Sequence, residues 1–286
     1  MESSKGVRIF ENAVAIITGG ASGIGRALAE ALAKRGCEVV LADLQDDLAR
    51  EIAARITATG GRAKAVKLDV TDFSAVDRLV QETFARTGRL DYLFNNAGIG
   101  IGGPAYHYGI EDWNLILDVN LRGVIHGVQA AYKIMKEQGF GHIVNTASMA
   151  GLMPSPGMVS YSTTKHAVVG LSKALRAEAA GLGIRVSVLC PGVIRTAILE
   201  GGGKYGRMLI EVPSEIQKQM WEKMKPMPAD LFAEKALNAI AKNEPIIIIP
   251  SWWKMIWRLH RFFPLFGLNL AQKQYQDMQK QMGLQQ

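Results

Sequence analysis

The sequence predicts an α/β fold: a doubly wound parallel seven-stranded sheet with helices on both faces, followed by a C-terminal helical extension. Three observations predict it. Short continuous apolar runs recur along the chain, as strands buried on both faces require. Stretches of about ten or more residues with helical character separate them, the pattern of crossover connections between parallel strands. A glycine-rich turn joins the first apolar run to the first helix.

Taken in order, Ala13-Val-Ala-Ile-Ile-Thr18 is the first strand and Gly19-Gly-Ala-Ser-Gly-Ile-Gly25 the turn after it. An Ala/Leu-rich helix over 26–35 stops at Gly36, and a second strand, Cys37-Glu-Val-Val-Leu-Ala42, ends at Asp43. Helices over 46–58 and 73–86 alternate with strands over 63–68 and 90–95. A long helix is expected over about 111–138, then a strand running into Ser148, a helix carrying Tyr161 to about 181, and a strand over 185–189. The pattern lapses over 192–228, and a helix over about 229–242 and a strand over 245–249 resume it. Residues 1–250 read as one dinucleotide-binding and catalytic domain. Residues 251–286 read as a helical extension, part of that domain or peripheral to it.

With 286 residues, 48% of them hydrophobic, the chain can bury a sizeable core. Cys37 and Cys190 both fall in apolar runs, which points to buried core residues in a reducing compartment rather than a disulfide framework. The first apolar run leads directly into glycines and reads as a strand rather than a signal peptide, so a cytoplasmic protein is expected. A formal charge of +7 raises nucleic acid as a partner, but no recognition motif accompanies it and none is expected. His107, His126, His142, His166 and His260 lack metal-ligand spacing, and no metal is expected.

Two stretches carry chemistry. The turn after the first strand has the spacing Gly-x-x-x-Gly-x-Gly, which lets the backbone turn tightly and aims helix N–H groups at a pyrophosphate. Gly19, Ser22, Gly23, Ile24 and Gly25 are its candidate ligands. Asp43, with Leu44 beside it, ends the second strand where a carboxylate can hydrogen-bond a ribose diol. That carboxylate would repel a 2′-phosphate, and no Arg or Lys occupies 20–22 or 44, so NAD is favoured over NADP. In the second stretch, Tyr161 and Lys165 lie one helical turn apart on a shared face. A free tyrosine has a pKa of about 10, too high for proton exchange near neutrality, and a neighbouring ammonium favours the phenolate. Ser148 ends an apolar run, where its hydroxyl can bond the substrate oxygen that Tyr161 protonates or deprotonates.

These motifs together resemble those of the short-chain dehydrogenase/reductase family, single-domain oxidoreductases with a Rossmann-type sheet, over about residues 10–250. Residues 18–25 are similar to its cofactor turn, and Asn95-Asn-Ala-Gly98 to its motif after the fourth strand. Asn120, within Asp118-Val-Asn-Leu, is similar to its catalytic asparagine; Ser148, Tyr161 and Lys165 have its catalytic spacing. Pro191-Gly-Val-Ile-Arg-Thr196 is similar to the segment that embraces the nicotinamide, with Pro191 and Gly192 at its start. The resemblance implies Tyr161 as general acid/base, Ser148 orienting the substrate oxygen, and Lys165 lowering the tyrosine pKa and holding the nicotinamide ribose. It implies that Asn120 binds, through its backbone, a water that passes protons towards bulk. Asp69 and Val70 would flank the adenine, Asn96, Ala97 and Gly98 the adenosine ribose, and Ile194 and Thr196 the carboxamide and phosphate.

The function implied is hydride transfer between NAD(H) and a hydrophobic secondary alcohol or ketone. Met149, Met153, Met158, Met208, Leu209, Ile210, Val212, Met220, Trp221, Met224 and Met227 would supply adaptable apolar walls, and Tyr106 and His107 are candidates to line the same pocket. An NADPH-dependent 3-oxoacyl thioester or carbonyl reductase is the alternative, disfavoured by Asp43 and the long tail. A non-catalytic NAD-binding sensor or scaffold is disfavoured by the complete Asn–Ser–Tyr–Lys set. The family's habit implies a homodimer or homotetramer, and Val124, Val128, Val168 and Leu171 look like apolar surplus on its paired helices. In the tail, Trp252, Ile256, Leu259 and Phe263 share one helical face, with Lys254, Arg258 and Arg261 on another, and Pro264 ends the helix. Charges interrupt it too often for a membrane span. It is expected either to pack on its own or a neighbouring subunit and close the pocket, or to make peripheral contact with an anionic membrane.

Overall fold

The computed structural model describes residues 6–200 and 205–281; the remainder, which includes the outer ends of the expected 1–250 and 251–286 units, lies outside the description. β1 (Val14–Thr18), α1 (Gly23–Lys34), β2 (Glu38–Asp43), α2 (Asp46–Ala58), β3 (Arg62–Lys67) and α3 (Phe73–Thr87) form the first half of the winding. β4 (Tyr92–Asn95), the short β5 (Gly100–Gly102), α4 (Ile110–Leu117), α5 (Gly123–Gln138), β6 (Gly141–Thr146), α6 (Val159–Ala179) and β7 (Ile184–Pro191) follow. Then come β8 (Ile194–Arg195), β9 (Gly206–Met208), α7 (Ser214–Lys223), β10 (Met227–Pro228), α8 (Ala229–Ala241), β11 (Ile246–Ile249), α9 (Trp252–Phe262) and α10 (Pro264–Gln281).

Seven strands make one parallel Rossmann-type sheet in the order β11-β7-β6-β4-β1-β2-β3. Successive side chains alternate between its faces: Ala15 and Ile17 of β1 join the core under α1, α2 and α8, while Ile16 joins the one under α3, α5 and α6. Both faces are therefore dry, which is why the strands read as continuous apolar runs. The chain winds outward from β1 to β3, then returns to set β4 on the other side of β1. That reversal opens a crevice at the carboxyl ends of β1 and β4, the place where such sheets bind ligands.

Local signals fix most boundaries. Asp72 caps α3 by accepting from Ala75 N at 3.1 Å, and Gly88 ends the helix in the left-handed region at φ 71°. α1 starts at Gly23, three residues before the expected Arg26, so the glycine turn itself contributes the first helical N–H groups. The long helix expected over 111–138 runs without interruption from Ile110 to Gln138, with residues Asp118–Arg122 forming a π turn between its α4 and α5 segments. The irregular stretch over 192–228 contributes α7, the small ribbon of β8 with β10, and β9, which pairs with β5.

The apolar surplus expected on the pairing helices is absent. Val124, Val128 and Val168 lie in the core of their own chain, and Leu171 packs against that core. They are consumed by α3, α5 and α6 packing on the sheet, so they give no support to a subunit interface.

Candidate active site

A cavity of about 1390 Å³ runs along the carboxyl edge of the sheet, bordered both by the glycine turn and by the Ser148–Lys165 stretch. Gly19, at φ +64°, is packed so closely that a Cβ would stand 2.9 Å from the Ala97 Cα, so only glycine turns the chain here. A Cβ on Gly25 would overlap the Gly19 carbonyl oxygen. Gly25 does not border the cavity; its bare Cα seats α1 under the turn, and it is set apart from the expected ligands on that ground. Ser22 stands at the N-cap of α1 with its hydroxyl making no capping bond, and Gly23 and Ile24 border the cavity beside it.

Asp43 is buried at the end of β2, accepting from Ala21 N and Gln45 N at 2.9 Å each, while Leu44 is exposed at the rim. Asp69 closes a local turn by accepting from Thr71 N and Oγ1, Val70 abuts Gly123, and both border the cavity. Asn96, Ala97 and Gly98 border it too, held by Thr18, which opens the 18–25 motif but is not among the expected ligands. Thr18 Oγ1 accepts from Asn96 N at 3.0 Å and Ala97 N at 3.1 Å, and its carbonyl accepts from Asn96 Nδ2. Its sequence signal is its place as the last residue of the strand before the glycines. Tight glycines, a helix N-terminus and a buried carboxylate at the adjoining strand end fit a dinucleotide. Pro191, Gly192, Ile194 and Thr196 line the same space.

Ser148, Tyr161 and Lys165 also border this cavity. Ser148 extends from β6 and its Oγ accepts from Ala150 N at 3.1 Å. Tyr161 and Lys165 lie on α6, with the Lys165 Nζ 5.4 Å from the centre of the tyrosine ring. Burial pushes the Tyr161 phenol above its ordinary range, and the adjacent Ser148 hydroxyl offsets part of that rise. Burial pulls Lys165 down to about 8, and its Nζ donates to the Thr146 carbonyl at 2.9 Å. Thr146 is a residue the motifs did not flag.

Asn120 lies one layer behind the cavity wall, fully buried in the π turn. Its Oδ1 accepts from Ile99 N at 2.8 Å and its Nδ2 donates to Ile99 O at 2.9 Å, so the side chain clamps the loop after β4. A Cβ on Gly98 would stand 3.2 Å from Asn120 Oδ1 and 3.5 Å from Lys165 Nζ, so both side chains close on the Gly98 backbone.

Nine of the eleven apolar residues expected around the pocket border it. Leu209 instead faces Gly103, and Met227 packs on the core beneath α1 and α8. Tyr106 and His107 do not border it; they pack on each other, and Tyr106 is exposed. The remaining wall comes from the tail. α9 and α10 fold back so that Trp253, Ile256, Tyr275 and Met278 border the cavity, Tyr275 packing on Gly157 just ahead of α6. No group of metal-ligating side chains exists among the described residues.

Residues 13–203 match the family model described as short chain dehydrogenase. The crystal structure of a short chain dehydrogenase/reductase from Burkholderia phymatum in complex with NAD is 33% identical with a TM-score of 0.80, covering 90% of this chain and 96% of that one. That of 3-ketoacyl-(acyl-carrier-protein) reductase from Brucella melitensis, complexed with NADH, is 30% identical with a TM-score of 0.73, covering 84% and 97%. "Probable oxidoreductase EphD" of Mycobacterium bovis is 35% identical over 259 residues, which are 89% of this chain and 44% of that protein; the chain spans less than half the length of this curated relative. With the family model matching most of the sheet, and a solved relative superposing over nine-tenths of the chain, the chain belongs to the short-chain dehydrogenase/reductase family of oxidoreductases.

Proposed function

We propose that the chain transfers a hydride between NAD(H) and a hydrophobic secondary alcohol or ketone, with Tyr161 as general acid/base. The observation that carries this reading is one cavity shared by the glycine turn and Asp43, by Ser148, Tyr161 and Lys165, and by a wall of Met and aromatic side chains. When bound, the nicotinamide supplies or accepts the hydride; the chain's residues position the reactants and handle the proton. In reduction Tyr161 gives its hydroxyl proton to the substrate oxygen, and in oxidation it takes the alcohol proton. Ser148 holds the same oxygen, and the Lys165 ammonium favours the phenolate that oxidation requires. The Asp43 carboxylate supports a preference for NAD over NADP. The backbone of Asn120, in a π turn whose i→i+5 pairing differs from that of the flanking helices, is the proposed anchor of a proton-carrying water.

We further propose that residues 1–250 are the catalytic unit and 251–286 an extension that closes its pocket, in a cytoplasmic assembly of two or four copies. A 3-oxoacyl thioester reductase is the second reading, favoured by the likeness to the Brucella melitensis enzyme. Against it, Trp253, Tyr275 and Met278 crowd the space beside Gly157 and Gly192 with apolar surface.

Tyr161→Phe tests the central assignment. The variant keeps the ring and loses only the hydroxyl, so NADH binding should stay within about twofold while turnover falls by roughly 10²-fold or more. Turnover close to wild type would refute Tyr161 as the acid/base.

A further inference from the structure

We propose that the α9–α10 hairpin is a docking surface for an anionic lipid bilayer, and that it seats the mouth of the cavity against the acyl region. At 100° per residue α9 divides into three sectors. Trp253, Ile256, Trp257 and His260 face the protein, the tryptophans against the core and Ile256 and His260 against the cavity. Lys254, Arg258 and Arg261 form a basic sector. Trp252, Met255, Leu259 and Phe262 form a third, which is apolar and turned to solvent: Met255 is 71% exposed and Phe262 78%. The apolar arc that the sequence placed on one face is thus split, with Ile256 packed inward and Trp252, Leu259 and Phe263 uncovered.

The uncovered sector continues around the hairpin through Phe263, Leu265, Phe266 and Leu268, each about half exposed or more. Half of the exposed large apolar side chains among the described residues fall in α9 and the first turns of α10. A single exposed Leu or Phe is ordinary, but a run of this kind beside one helix marks a surface that meets something.

The chemistry beside the run selects the occupant. α9 contains no acidic residue, and its basic sector adjoins the exposed apolar one. Lys254 is 3.6 Å from Glu244, the Arg261 guanidinium sits 5.4 Å from the Trp257 ring, and Arg258 and Arg261 are both exposed. Aromatic and aliphatic groups entering the headgroup–acyl boundary, with guanidinium groups at the phosphates, is the arrangement of an interfacial helix. No described helix is long and apolar enough to cross a membrane, so the hairpin lies on the bilayer rather than through it.

Continuity ties the surface to the site. Leu259, Phe266 and Leu270 belong both to the exposed surface and to the border of the cavity. A bilayer on this face therefore adjoins the opening, and an apolar substrate passes in without crossing water. Delivery rests on the proposed function; docking does not.

Full-length protein is sedimented with vesicles of phosphatidylcholine containing phosphatidylglycerol, and with vesicles of phosphatidylcholine alone. Binding is expected for the anionic vesicles, weakened by salt. Each basic residue near an anionic surface contributes about fivefold, so Arg258→Glu with Arg261→Glu should weaken binding by roughly tenfold or more. Met255→Ser with Phe262→Ser should abolish it, with NADH binding unchanged because neither side chain borders the cavity. Tyr161→Phe should still sediment, which separates failure of docking from failure of the catalytic reading. Absent binding, equal binding to both vesicle types, or undiminished binding by the serine variant would overturn the proposal. So would a smaller assembly of the serine variant by light scattering, which would assign the surface to a second copy of the chain.

Discussion

Gly192 is where α9 meets the turn after β7, and the contact there has a measurable coupling. Gly192 N donates to the Ile249 carbonyl at 2.8 Å, fixing the backbone against β11. A Cβ at this position would overlap the Trp253 Nε1 and stand 2.6 Å from its Cδ1. Gly192→Ala must therefore push the indole aside, an overpacking cost of about 1–3 kcal/mol. Trp253→Ala removes a side chain that is only partly buried, so its cost should fall below the range for a fully buried tryptophan, at about 2 kcal/mol. In the double variant the methyl occupies space the indole has left, and the two costs should not add. The expected coupling is about 1–2 kcal/mol in favour of the double variant. Urea unfolding of wild type, both single variants and the double variant at one protein concentration gives the cycle. Because Trp253 borders the cavity, Gly192→Ala should also raise KM for an apolar substrate. Additivity within about 0.5 kcal/mol would mean that α9 does not sit on Gly192, and the account of the tail as a pocket wall would fail.

Asp43→Ala combined with Leu44→Arg should raise the ratio of kcat/KM for NADP over that for NAD, since it removes a repelling carboxylate and adds a cation at the exposed rim. It should also cost about 1–3 kcal/mol of stability, because the buried Ala21 N–H loses its acceptor; an unchanged cofactor ratio would refute the role given to Asp43. Lys165 supplies a pH test. Its folded pKa of about 8 lies below the ordinary lysine value of 10.5, so between these values the unfolded chain binds more protons and stability rises with pH. Below that window the buried charge costs on the order of 3 kcal/mol, a cost that Lys165→Met lacks. The stability of that variant relative to wild type should therefore shrink as pH rises from 8 to 10.5, and a constant difference would refute the burial effect.

The sheet and the reacting groups were legible because their signals are local. Continuous apolar runs follow from two dry faces, as Ile16 and Ile17 in opposite cores illustrate. Gly25 is required by the Gly19 carbonyl within the same turn and Gly19 by its positive φ, and Tyr161 and Lys165 meet because they are one helical turn apart. The π turn at Asn120 was not legible. No Gly or Pro marks it within residues 118–122, and the clamp that Asn120 places on Ile99 joins positions 21 apart in sequence.

What surrounds the substrate obeys a different rule. Leu209 and Met227 carry the same apolar signal as Met208 and Met224, yet only the latter pair borders the cavity: Leu209 lies against Gly103 just past β9, and Met227 pairs with Ile194 in the small ribbon. Helical spacing likewise gathered Trp252, Ile256, Leu259 and Phe263 into one arc. It carried no information on where the protein surface would cut that arc. The groups proposed to react are held at strand ends and on one helix by short-range geometry, whereas most of the apolar wall is placed by segments meeting from 192–228 and 252–281. On the proposed function, substitutions in those segments retune the substrate while leaving Tyr161 and Lys165 in place. The tail contributes both a wall of the cavity and an uncovered apolar face, so on the proposed docking it joins that selection to where the protein sits.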